Sequence, residues 1–132
     1  SLVLDPMCGS GTLLVEAAMK ARGISPGLMR RFACEKWSCF PEEIFKRERQ
    51  AARGLIRKDI GFHARGFDID KAAVELSREN AKKAHVEDLI EFRRQDVRRL
   101  VLPKNDCILL CNPPYGERLM DRKAAEELYE IL

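Results

Sequence analysis

Short apolar runs alternate with longer helix-forming runs along this 132-residue chain, and that alternation restricts the fold more than any single motif does. "SLVLDP" reads as an apolar strand, and "GTLLVEAAMKAR" follows it as a helix of good helix formers. "FHARGFDID" reads as a short second strand with Asp68 at its carboxyl end, and Asp70 is placed to cap a helix over "KAAVELSRENAKKA". "IEFRRQD" gives a third strand, because Ile90 and Phe92 alternate with charged neighbours up to Asp96. "DCILLC" is a fourth, whose nearly continuous apolar character fits a strand covered on both faces. "DRKAAEELYEIL" starts another helix. Strand and helix in alternation predict an α/β domain, a parallel sheet of about four strands with helices on both faces.

Breakers from Gly23 to Gly27 end the first helix. The connection that follows, an insertion over about residues 24–62, holds a helix for which Pro41 suits the first turn and Glu42 and Glu43 the positive end of the dipole. Ile44, Ala51, Ala52 and Leu55 can share one face, so this helix is expected to pack on the sheet or its covering helices. No repeat, low-complexity tract or linker divides residues 1–132. Four strands are few for this architecture, and the chain reads as part of a domain, an excerpt of a longer protein with one strand edge left unpaired.

No apolar run approaches the length of a membrane span and no start resembles a signal peptide, so a cytoplasmic protein with no membrane partner is expected. Cys8, Cys34, Cys39, Cys107 and Cys111 are odd in number and lie in apolar surroundings, as reduced, buried thiols do. Their spacings are not those of zinc knuckles, and no metal is expected. The net charge of +3 does not establish a nucleic-acid partner. Arginines nevertheless cluster in "MRRF", "FKRERQAARGLIRKD" and "FRRQDVRR", each of which could equally be a solvated face.

Ligands of open α/β sheets sit at the carboxyl ends of the strands, where strand order reverses. The first strand ends in "DPMCGSGT", in which Gly9 and Gly11 let the backbone come close to a ligand and the next helix adds its amino-terminal amides. The lysine of a Walker loop is absent, and the third glycine of a dinucleotide fingerprint would fall at Leu14. A purely structural tight turn is the alternative. Asp68 can accept both hydroxyls of a ribose, and Asp96 can accept from an adenine amino group. Either aspartate alone could be a turn or cap residue; with the glycine turn they outline a nucleoside that needs no pyrophosphate site.

The fourth strand stops at Asn112, Pro113, Pro114, Tyr115 and Gly116. Two prolines end a strand, but a turn needs neither the amide before them nor the ring after them. The Asn112 side-chain oxygen and the Pro113 carbonyl are an acceptor pair suited to an NH2 group, and Tyr115 can stack on a planar one. On the usual winding this turn lies beside the Gly9 to Gly11 turn.

These strings resemble a class I S-adenosylmethionine-dependent methyltransferase of the amino-methylating type, with a Rossmann-like core. "LDPMCGSGTLLVEAAM", "ISPG", the Trp37 region, "GFDID" and "NPPYGERL" are similar to the THUMP-associated methyltransferases acting on guanine N2 of large-subunit ribosomal RNA. The resemblance implies S-adenosyl-L-methionine as cofactor and S-adenosyl-L-homocysteine as its product. Contacts to them are expected from Asp5, Met7, Cys8, Gly9, Ser10, Gly11 and Thr12 of the loop. Asp68 with Ile69, Asp96 with Val97, and Asn112 complete that expected set. It further implies catalysis by Asn112, Pro113, Pro114 and Tyr115, an RNA partner with its guanine turned out of the stack, and a THUMP RNA-binding module elsewhere in the protein. The tetrapeptide also occurs in adenine-N6 DNA and glutamine-N5 protein methyltransferases, and a noncatalytic nucleotide- or RNA-binding module is a further alternative.

Overall fold

The computed structural model describes residues 2–104 and 106–113. The expected helix over "DRKAAEELYEIL", and Pro114 and Tyr115, lie outside the described residues. Strand β1 (Leu2–Asp5) leads into helix α1 (Thr12–Arg22), and helix α2 (Glu42–Gly54) precedes β2 (His63–Asp68). Helix α3 (Lys71–Lys83), β3 (Ile90–Arg94) and β4 (Cys107–Leu109) follow. Single 3-10 turns occupy Ala33–Lys36 and Val97–Arg99. The sheet is parallel throughout in the order β3-β2-β1-β4, the expected four-stranded parallel α/β sheet, although the described helices do not cover both of its faces.

Two crossovers that step the same way along the sheet place α1 and α3 on one face. Register pairs Val3 with Ala64, and Ala64 with Ile90, and these side chains meet Leu14, Val15 and Ala18 of α1 and Val74 and Ala81 of α3. Burying such apolar surface, at about 25 cal/mol per Å2, is what holds the layers together. The alternation read in β3 is seen directly: Ile90 and Phe92 point inward, while Glu91 faces out and pairs with Arg65 at 3.5 Å. Helix α1 ends in a Schellman motif, in which left-handed Gly23 donates to Lys20 O and Ile24 donates to Met19 O. Asp70 caps α3 as expected, its side chain accepting from Ala72 N–H at 2.9 Å.

Three expectations are corrected. Helix α2 has no buried residue and does not pack on the sheet. Its half-buried stripe is Phe45, Arg49 and Ala52, facing the Ser25–Phe32 segment, whereas Ile44 and Leu55 are exposed. Arg49 on that stripe is held by Glu35 and by Arg30 O, which ties this side of α2 to the segment that precedes it. Strand β4 is not covered on both faces by described residues: it is the edge of the described sheet, with Ile108 and Leu109 exposed. Only Cys8 of the five free thiols is buried, because Cys34 and Cys39 belong to the exposed insertion and Cys107 and Cys111 to that edge. Among the described residues no helix is long and apolar enough to cross a membrane.

Candidate functional site

Strands β2 and β3 lie to one side of β1 and β4 to the other, so winding reverses between β1 and β4. In open α/β sheets such a reversal, at the carboxyl ends of the strands, is where ligands bind. The turn after β1 is organised by Asp5, which is 1% exposed and accepts Met7 N–H at 3.1 Å. Burial pushes its carboxyl up to about 6, the Met7 bond opposes that shift, and the nearby Asp68 charge adds to it.

Cys8 ties the turn to β2 by donating its N–H to Phe67 O at 2.8 Å. Burial, then the Asp5 and Asp68 charges, push its thiol up to about 12, so it is a protonated packing group and no nucleophile. Gly9, at φ +52°, donates its N–H to Asp68 Oδ2 at 2.9 Å, and nothing lies within 4 Å of where its Cβ would project. Gly11, at φ +76°, has no such room: a Cβ would meet Ser77 Cβ at 2.8 Å and Phe92 Cζ at 2.9 Å. Ser10 and Thr12 hydroxyls stand 2.8 Å apart, and Asn80 Nδ2 donates to Ser10 O at 3.0 Å, fastening the turn to α3. No side chain caps α1 at Gly11, and its first turn carries no acid.

Asp68, half-buried at the end of β2, accepts Gly9 N–H on one oxygen and Asp70 N–H on the other, the latter at 2.9 Å. An ionised carboxylate offers roughly four acceptor sites, so about two remain for a ligand's hydroxyls. Its backbone carbonyl accepts Gln95 N–H, which brings the end of β3 alongside. Asp96 there caps the Val97–Arg99 turn by accepting Arg98 N–H at 3.0 Å. The Arg98 guanidinium binds both its oxygens and holds its carboxyl down at about 2. That pair sits at the surface and opens at little cost. Ile69 is exposed and Val97 half-buried, each next to its acid.

Across the break, Leu110 N–H donates to Leu4 O at 2.8 Å and carries the β4 side past Asp5. Burial, and next the Asp5 charge, hold the Cys111 thiol up at about 11. Asn112, exposed, and Pro113, half-buried, follow immediately. The structure thus links Asp5, Cys8, Gly9 and Asp68 around one turn, sets Asp96 at the neighbouring strand end, and puts Asn112 and Pro113 directly after β4, on the other side of β1 from β2.

Sequence reasoning missed Asn80, Ser77 and Gly66, and the place of the Phe92 ring beside the glycine turn. A Cβ on Gly66 would meet Phe92 Cδ1 at 2.6 Å, so this strand glycine lets the Phe92 ring lie against the sheet beside the Gly11 turn. Its signal was a glycine inside a strand, which marks a close approach; that of Asn80 was an amide three residues after buried Ser77 on the inner side of α3. A cavity of about 720 Å3 opens at the opposite end of the sheet, lined by Leu2, His63 and Ile90, the first residues of three strands. Ligands of such sheets bind at the other end.

A family model described as RMKL-like, methyltransferase domain (UPF0020) matches residues 1–132. The chain is 43% identical over 133 residues to ribosomal RNA large subunit methyltransferase K/L of Aliivibrio salmonicida, covering 96% of this chain and 19% of that protein. The enzyme of the same name from Vibrio cholerae is 41% identical, with 96% and 19% covered. The crystal structure of SMU.472 complexed with SAH superposes with a TM-score of 0.92 at 39% identity, over 99% of this chain and 35% of that one. A structure from Listeria monocytogenes, described as "a predicted N6-adenine-specific DNA methylase", gives a TM-score of 0.89 at 38% identity, over 98% and 34%. The chain therefore spans about a fifth of the K/L relatives and about a third of the solved ones. With strand ends, glycine turn and Asn-Pro element arranged as described, the chain belongs to the RMKL-like methyltransferase domain family.

Proposed function

We propose that this chain is the S-adenosylmethionine-binding part of a larger RNA methyltransferase that methylates the exocyclic N2 amine of guanine in large-subunit ribosomal RNA. The observation that carries this is the coupling of Gly9 to Asp68 beside the β1–β4 break, with Asn112 emerging on the other side of it. The residues present fit the cofactor: open space beside Gly9, unused acceptor capacity on Asp68, and Asp96 at the next strand end. Bound there, S-adenosylmethionine supplies an electrophilic methyl group on a sulfonium.

The chain's own residues position the two partners. Asp68 accepts the ribose hydroxyls, Asp96 accepts the adenine amino group, and the two glycines of the turn keep side chains out of the ligand's path. Asn112 Oδ1 and the Pro113 carbonyl accept N–H bonds from the guanine NH2, and this geometry aims the nitrogen lone pair at the methyl group. Pro113 and Pro114 fix the carbonyl's direction, and Tyr115 is assigned the stacking face for a base turned out of the RNA. The names of the K/L relatives support ribosomal RNA as substrate, while a THUMP module in the full-length protein and a cytoplasmic place of action rest on the sequence reading alone.

The test incubates full-length protein with S-adenosylmethionine labelled in its methyl group and unmodified large-subunit ribosomal RNA, with duplex DNA in parallel, followed by nucleoside digestion. Labelled N2-methylguanosine is expected. Label in N6-methyladenine of the DNA instead would favour the reading attached to the Listeria relative and overturn this one.

A further inference from the structure

The three arginine clusters have different fates in the fold. Those around residues 92–99 are largely spent within the chain: Arg93 pairs with Glu91, Arg94 donates to Ile69 O, and Arg98 holds Asp96. The clusters at residues 30–31 and 45–58 instead fold toward one another, forming a cleft of about 500 Å3 between α2 and the segment that precedes it. Arg30, Arg31, Lys36, Lys46, Arg49 and Arg53 line it against only two acids, Glu35 and Glu42. Glu35 is already held by Arg49, and Glu42 by Lys46. Arg31, Lys36 and Arg53 make no ion pair among the described residues, so the cleft keeps a positive excess.

Aromatic rings interleave with these cations. Phe32, Phe40 and Phe45 line the same cleft, and Trp37, 58% exposed, stacks on Phe40 with ring centroids 6.2 Å apart. The Arg30 guanidinium lies 4.8 Å over the Phe32 ring. Helix α2 buries no residue, so these rings do not serve to dock it on the sheet. Cations tracking a groove with stacking faces between them is the chemistry that holds single-stranded nucleic acid, with phosphates on the charges and bases on the rings. A protein partner would be better met by an apolar patch that lacks so many unpaired cations.

We propose that this cleft is a docking surface for an unpaired segment of the RNA substrate, a proposal that rests on the RNA reading above. Arg57 fixes the end of the insertion to the far end of α1, donating its N–H to Arg22 O at 2.8 Å and its guanidinium to Ala21 O. Helix α1, eleven residues and about 16 Å long, thus lies between that anchor and the glycine turn at its start. The cleft therefore holds RNA that flanks the reacting guanine and leaves the guanine itself to the Asn112 end.

The experiment measures anisotropy of a fluorescein-labelled RNA hairpin with an unpaired loop, titrated with full-length protein over a salt series. Arg31→Ala combined with Arg53→Ala should raise Kd about tenfold and flatten the log–log salt slope by about 2, since two phosphate contacts are lost. Trp37→Ala should raise Kd about tenfold with the slope unchanged, because a stacking face is lost without charge. Calorimetric affinity for S-adenosylhomocysteine should stay at the wild-type value in both, which reports an intact domain. If the double variant loses that affinity, Lys36→Glu on the exposed 3-10 turn carries the same test. Wild-type RNA affinity and slope in variants that still bind S-adenosylhomocysteine overturn the cleft while the function reading stands. The same result with altered size-exclusion elution assigns the cleft to a protein surface and overturns it too. A wild-type protein that binds the hairpin through this cleft yet methylates no RNA overturns the function reading alone. One with no RNA affinity overturns both.

Discussion

The N–H of Gly9 donates to Asp68 Oδ2 at 2.9 Å, across 59 residues of chain. One carboxylate thus shapes the glycine turn and, in the proposed function, receives the ribose. Turn geometry and nucleoside affinity are coupled at Asp68, because removing it leaves a turn N–H without its acceptor and the sugar without its anchor.

Asp68→Ala is accordingly expected to weaken S-adenosylhomocysteine binding about 100-fold. Two hydroxyl bonds to a charged acceptor are together worth about 3 kcal/mol, and each 1.4 kcal/mol is about a factor of ten. The variant should also melt earlier, since Gly9 and Asp70 N–H groups lose their partner. Calorimetric titration and a thermal melt read both effects, and an unchanged affinity would remove Asp68 from ribose binding.

Asn112→Ala separates chemistry from cofactor binding. Losing one preorganised hydrogen-bonding group at a reacting centre costs roughly 100- to 1,000-fold in kcat. Asn112 follows β4, on the other side of β1 from Asp68 and Asp96, and is one of many expected cofactor contacts, so S-adenosylhomocysteine affinity should change by less than about threefold, under 1 kcal/mol. Single-turnover methyl transfer by full-length protein, with calorimetry alongside, checks both. Wild-type turnover would end the assignment of Asn112 as the amine acceptor.

The parts of this fold legible in the sequence are those whose cause is local. Helix α1, the Asp70 cap and the alternation in β3 depend on spacing within a few residues, and each was readable. The strand-end acids were readable because an α/β sheet fixes where its ligands bind. Helix α2 was misread because periodicity alone favoured Ile44 and Leu55, whereas the side that meets the Ser25–Phe32 segment carries Arg49, whose partners Glu35 and Arg30 O lie 14 and 19 residues away. Asn80 and Gly66 escaped notice because their purpose lies in Ser10 and Phe92, residues 70 and 26 positions away in sequence.

Gly9 and Gly11 should fail in different ways. Both sit at positive φ, where a non-glycine residue costs roughly 1–2 kcal/mol. Gly11→Ala adds a collision with Ser77 and Phe92 inside the core, so it should lose several kcal/mol in total and melt far below wild type. Gly9→Ala meets nothing within 4 Å, so it should fold with only the backbone cost while its methyl group intrudes on the ligand side. Thermal melts should rank Gly11→Ala well below Gly9→Ala, and calorimetry should show Gly9→Ala folded but weak for S-adenosylhomocysteine. Equal melting temperatures would contradict the packing of Gly11 against Phe92.

Asp5 is a source of instability at neutral pH. Its carboxyl titrates near 6 in the folded chain, against an ordinary value of 3.8, because burial disfavours the charge. Below about pH 4 folded and unfolded chains both hold the proton and no penalty exists. Between about 4 and 6 the folded chain keeps a proton that the unfolded chain has released, so stability falls as pH rises. Above 6 the whole penalty stands, about 3 kcal/mol by the size of the shift. Asp96 has the opposite sign: Arg98 holds it at about 2, so its contribution is present at neutral pH and is lost only as the pH falls below about 4. The two windows do not overlap. Asp5→Asn keeps an oxygen for Met7 N–H and removes the charge, so Tm at about pH 7.5 should rise by roughly 5–10 °C. At about pH 3.5 the gain should largely vanish, because Asp5 is then mostly protonated in the folded and the unfolded chain alike. Paired melts at the two pH values check this; a gain that is the same at both would mean the buried Asp5 charge is not the destabilising group.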